Sequence, residues 1–121
     1  MLRWMCALLV LGWMGTLVAC GPSFGGSCSF PKRGECQSFD QGFSVNEVKS
    51  ACDATKANDP TLEVVYSATA ACPTADLIGV CRSQKSPTQV VSIHYYKVAG
   101  GYQTSEDVRD KCTGTFEPKG E

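Results

Sequence analysis

The chain has 121 residues, with 11 basic and 12 acidic side chains, a net charge of −1 and eight cysteines. That balance excludes nucleic acid as a partner and a polybasic grip on anionic lipid, because both need clustered positive charge and only Lys32 and Arg33 are adjacent. The length is one domain's worth and buries only a modest core.

In chain order, Met1-Leu2-Arg3 carries one positive charge, and Trp4 to Met14 is apolar apart from Gly12. A spanning helix needs about 20 apolar residues, so this shorter run reads as the apolar region of an export signal. Leu17-Val18-Ala19-Cys20, followed by Gly21, resembles the lipobox of bacterial lipoproteins. The resemblance implies a diacylglyceryl thioether on Cys20, cleavage before it and acylation of the new amine. The alternative is an ordinary signal cut near Ala19, with Cys20 left to a disulfide. Two or three acyl chains suffice for stable anchoring, so the membrane is the expected partner, held through Cys20. Gly21, where inner-membrane lipoproteins of Gram-negative bacteria carry Asp, implies the outer membrane, on its periplasmic or surface face.

Removing residues 1–19 from the 121 leaves 102. Residues 20–27 form a lipidated Cys with a Gly/Ser/Pro tether whose coil span is roughly 15 Å. Residues 28–121 form a single domain. Its six cysteines, Cys28, Cys36, Cys52, Cys72, Cys81 and Cys112, have 7, 15, 19, 8 and 30 residues between them, with none of the close pairs that zinc sites use. No metal and no cofactor are expected. In an exported chain, six such cysteines read as three disulfides.

Two blocks suggest an internal duplication with pseudo-repeats 28–71 and 72–121. Cys28 to Ser38 aligns with Cys72 to Ser83 through Cys, Pro and Gly-x-Cys-x-Ser, and Ser44 to Cys52 aligns without gaps with Thr104 to Cys112. The second block carries N-cap signatures, Ser44-x-x-Glu47 and Thr104-x-x-Asp107, each predicting a helix. Phe43 and Val48 stand at staple positions, and Val45, Val48 and Cys52 share a helical stripe. The acids and Asn58 between Asp53 and Asp59 lack the spacing of a calcium loop and read as a polar loop.

Alternation predicts strands over Leu62, Val64 and Tyr66 and over Val91, Ile93 and Tyr95. Pro87 marks a hairpin turn between Gly79–Ser83 and 90–98, and Gly114-Thr115-Phe116 adds an edge strand. The expected fold class is α+β, two short helices on a small antiparallel sheet. Six cysteines allow fifteen pairings. Pseudo-symmetry leaves three schemes, with cross-links Cys28–Cys72, Cys36–Cys81 or Cys52–Cys112. The need for each Gly-x-Cys strand to meet its helix thiol selects Cys36–Cys52, Cys81–Cys112 and Cys28–Cys72.

Functional chemistry is sparse. His94 is the only histidine, so any nucleophile relay must pass through it, and its alternating strand predicts a solvent-facing imidazole. Tyr95 and Tyr96 must point to opposite faces, which makes Tyr96 the exposed one and, with His94, a weak binding patch. The capped helices, Gly-x-Cys turns and lipobox together resemble small cysteine-rich lipoproteins of Gram-negative envelopes, a resemblance that implies no activity. The expectation is a non-catalytic interaction or surface module with an envelope protein or glycan partner. The rival readings are a tethered hydrolase using His94 and an inhibitor on a disulfide scaffold.

Overall fold

The computed structural model describes residues 24–119. The export segment and Cys20 lie outside the described residues. Within them no helix is long and apolar enough to cross a membrane. The fold is α+β: a single six-stranded antiparallel sheet with two helices.

The strands are β1 (Gly26–Phe30), β2 (Glu35–Gln41), β3 (Val65–Ser67), β4 (Leu77–Ser86), β5 (Gln89–Tyr96) and β6 (Thr115–Pro118), with helices α1 (Val45–Asn58) and α2 (Glu106–Arg109). Across the sheet the order is β3-β1-β2-β5-β4-β6. Each half therefore supplies a hairpin, a helix and then a strand that pairs outside the first strand of the hairpin. The halves join where β2 pairs with β5.

Local chemistry accounts for the elements. Pro31 starts a single 3-10 turn, Pro31–Arg33, which Gly34 closes at φ 67°, a left-handed conformation that lacks a Cβ penalty only in glycine. A Cβ there would also stand 2.5 Å from Val98 Cγ2. Gly79, the other glycine of the Gly-x-Cys pair, does a different job. It lies within β4 beneath the Phe116 ring, whose Cζ would be 2.5 Å from any Cβ. Pro87 and Thr88 alone separate β4 from β5, as the expected hairpin requires.

Ser44 caps α1 in a complete capping box: the Glu47 N–H donates to Ser44 Oγ at 3.2 Å, and the Ser44 N–H donates to Glu47 Oε2 at 2.7 Å. Ala54, Lys56 and Ala57 are good helix formers, so the helix runs through Asn58 and stops before Pro60. Asp53 to Asn58 is thus helix and not the expected polar loop. At α2 the box is half formed, with Asp107 Oδ2 accepting from the N–H groups of Gln103 (2.8 Å) and Thr104 (2.9 Å). Val48 and Cys52 are buried as the helical stripe predicts, but Val45 is 48% exposed in the first turn. Leu62 is buried, and Val64 and Tyr66 pack on the same core, although only Val65–Ser67 is strand. The sheet begins at Gly26, inside the expected tether.

Side chains on a strand alternate between faces, and cross-strand partners share one. One row runs Tyr66, Cys28, Gln37, Ile93, Cys81 and Phe116 across all six strands. The helices cover this face. Phe30, Phe39, Val48, Leu62 and Val91 form one buried cluster, and Ile78, Tyr95 and Val108 form the other. Tyr95 meets Tyr102 edge-on with ring centroids 5.6 Å apart. The adjacent row runs Ser67, Ser27, Ser38, Ser92, Arg82 and Thr115, and it belongs to the opposite face, which carries no helix.

That sidedness decides the disulfides. Cys28 and Cys52 are bonded, as are Cys36 with Cys72 and Cys81 with Cys112. The Cys81–Cys112 bond matches expectation, whereas Cys36–Cys52 and Cys28–Cys72 are replaced. Cys36 pairs with Ser29 and His94 in the ladder and so lies on the helix-free face, away from α1. Cys28 lies on the helix face and reaches Cys52. Cys36 instead holds the segment after β3, which crosses the open face where Ser27 Oγ also donates to the Ala70 carbonyl at 2.7 Å.

Candidate functional site

The helix-free face holds a groove of about 400 Å³. Its floor comes from β2, β5 and β4, and its roof from Phe24 and the Ala71–Thr74 segment that the Cys36–Cys72 bond pins down. Two-residue spacing places Ser38 with Asp40 on β2 and Ser92 with His94 on β5, while Arg82 faces Ser92 from β4.

Asp40 stands at an irregularity in the β2–β5 pairing, between Phe39 and Gln41, which frees its side chain from the regular ladder. Its carboxylate accepts from two hydroxyls: Ser38 Oγ donates to Oδ1 at 2.5 Å, and Ser92 Oγ donates to Oδ2. Ser92 therefore meets the carboxylate directly. A Ser-His-Asp relay needs the imidazole between them. His94 is not solvent-facing as the strand pattern suggested, because the roof half-covers it, and its Nδ1 is sealed from solvent with no hydrogen-bond partner. Burial holds its pKa below the ordinary imidazole value, against the attraction of Asp40, so the ring is neutral at pH 7.

Tyr96 is on the same face but is no free patch. Its hydroxyl donates to the Pro73 carbonyl at 2.7 Å, which ties it to the crossing segment, and burial pushes its pKa up to about 12. His94 and Tyr96 thus share a face as predicted, but only His94 lines the groove. Ser38, Asp40, Arg82 and Ser92 escaped the sequence reading. Their signal was present in the alternation Ser38-x-Asp40 and Ser92-x-His94, which puts polar groups on one face of two strands.

Among the described residues no cluster of three metal-ligating side chains occurs. A second polar constellation sits on the helix face: Glu35, 9% exposed, takes Arg33 Nη2 at 3.0 Å and the Tyr102 hydroxyl at 2.8 Å. Both partners saturate it, which marks it as structural. At the rim of the groove Lys119 and Glu117 pair with each other at 3.8 Å.

The class the fold defines is a disulfide-rich α+β domain with one helix-covered and one polar, strapped face. Comparison with protein-family models, curated proteins and solved structures yields no match.

Proposed function

We propose that this is a lipid-anchored lipoprotein of the bacterial cell envelope whose exported domain is a non-catalytic binding module, and that the groove is its binding surface. The observation that carries the binding part is the polar groove itself, strapped by Cys36–Cys72 and lined by Ser38, Asp40, Arg82, Ser92 and His94. Ser92 donates to Asp40 without passing through His94, which favours recognition over hydrolysis. The anchoring part rests on Leu17 to Cys20, and the three disulfides are compatible with an exported domain. Phe24 lines the groove and stands four residues after Cys20, a connection of at most about 14 Å. An acylated Cys20 would hold the groove mouth close to the bilayer, with outer-membrane placement following from Gly21.

The two halves read as pseudo-repeats. Supporting this are the strand order, which is the same from either edge, and the Cys28–Cys52 and Cys81–Cys112 bonds, which join the first strand of each half to α1 in one case and to the residue three positions beyond α2 in the other. Val48 and Val108 stand at the same distance before Cys52 and Cys112, and both are fully buried. On this reading Cys81 matches Cys28 rather than Cys36, and Cys36–Cys72 has no counterpart.

The test uses the chain with its anchor in intact envelopes, cross-linked in place. Thr74 is exposed at the rim, so Thr74→Trp plugs the groove while sparing the core. Loss of the cross-linked partner or glycan in this variant supports the groove, and unchanged cross-linking overturns it.

A further inference from the structure

The charges around the groove are unequally paired. Among the described residues the ion pairs are Arg33–Glu35, Lys49–Asp53, Arg109–Glu106 and Lys119–Glu117. Neither Arg82 nor Asp40 is in one. Both line the groove, on either side of Ser92: Arg82 faces Ser92 across the β4–β5 ladder, and Asp40 accepts its hydroxyl from the β2 side. Asp40 is satisfied only by neutral donors, and Arg82 has no acid. His94, uncharged at pH 7, lies beside them on the groove floor.

Resting on the reading that the groove is the binding surface, the geometry points to a zwitterionic ligand, with an anionic group at Arg82 and an ammonium group at Asp40. A plain anion would gain Arg82 but meet the repulsion of Asp40, and a plain cation the reverse. A molecule carrying both charges completes two charge-assisted hydrogen-bonded contacts at once and neutralises the site. The Lys119–Glu117 pair at the rim cancels itself and leaves that polarity unchanged. The volume of about 400 Å³ accommodates an amino acid, a dipeptide or an ethanolamine phosphate headgroup.

The chemistry is the same for a free amino acid or dipeptide and for the headgroup of phosphatidylethanolamine, and the experiment separates them. The full chain is titrated calorimetrically with L-alanine and glycylglycine, and with acetate and methylammonium as the two halves. A flotation arm uses vesicles of phosphatidylethanolamine with phosphatidylcholine against vesicles of phosphatidylglycerol with phosphatidylcholine, comparing wild type with the groove variants so that the acyl anchor is common to all. Either free zwitterion binding at least tenfold more tightly than both halves supports the proposal and identifies a soluble source. Groove-dependent preference for phosphatidylethanolamine supports it and identifies the lipid. In either arm Arg82→Gln and Asp40→Asn must each lower binding at least tenfold, with circular dichroism showing the fold retained. Half-molecules binding as well as the whole, no zwitterion binding in either arm, or both variants binding like wild type would overturn it. If zwitterions fail while Thr74→Trp still abolishes envelope cross-linking, the ligand class falls and the groove stands.

Discussion

Removing the bond between Cys81 and Cys112 by a paired change to alanine probes how a helix of one turn is kept in place. The bond spans 31 residues, for which the chain-entropy relation gives about 3.7 kcal/mol at 25 °C. Helix α2, Glu106–Arg109, is far too short to persist by its own hydrogen bonds. Without the bond it retains Val108, fully buried, and the Arg109 guanidinium 5.1 Å from the Phe116 ring centroid. Domains of this size have about 5 to 15 kcal/mol in total, so the change removes a quarter or more of the stability. The melting temperature should fall by about 15 to 30 °C at roughly 4 to 8 °C per kcal/mol. Urea unfolding followed by far-ultraviolet circular dichroism measures the free energy and its denaturant slope together. A loss below about 1 kcal/mol with an unchanged slope would refute the view that the bond, rather than packing, secures α2.

Cys20→Ser should leave an unprocessed and unacylated precursor, whereas mass spectrometry of the wild-type N-terminus should find three acyl chains on Cys20. Ser44→Ala removes the acceptor for the Glu47 amide and should cost about 1 kcal/mol, read as a lowered urea midpoint. Because His94 has a lowered folded pKa, the unfolded chain takes up its proton first. Stability contributed by this group is present above about pH 6.5 and is lost as pH falls below it, and His94→Gln should remove that part of the acid sensitivity in pH-resolved melts. Tyr96 and Tyr102 are both pushed up to about 12, mainly by burial, so their contribution holds below pH 10 and is lost as pH rises from 10 through 12. Absorbance titration at 295 nm should show a two-tyrosine step near 12, and a single step near 10 for all four would contradict the structure.

Much of the local structure was legible in the residues because its causes act within a few positions. Ser44 and Glu47 satisfy each other's amides three residues apart, Pro87 breaks the chain between two strands, and Val48 and Cys52 lie one helical turn apart. The α+β class and the presence of three disulfides followed from such signals and from cysteine count. What the tertiary structure decided was which face of each strand the helices cover. Cys28 and Cys36 differ by an even number of positions, yet the turn Pro31–Arg33 with Gly34 sets a register that pairs Ser29 with Cys36 and sends the two thiols to opposite faces. A shift of one residue in that pairing would have put both thiols on one face, and which face the helices then cover is set only by long-range packing. The same long-range choice assembled the groove. Ser38, Asp40, Arg82, Ser92 and His94 come from three strands whose adjacency depends on β2 pairing with β5 across more than fifty residues, a contact that only the buried area of the whole sheet can stabilise.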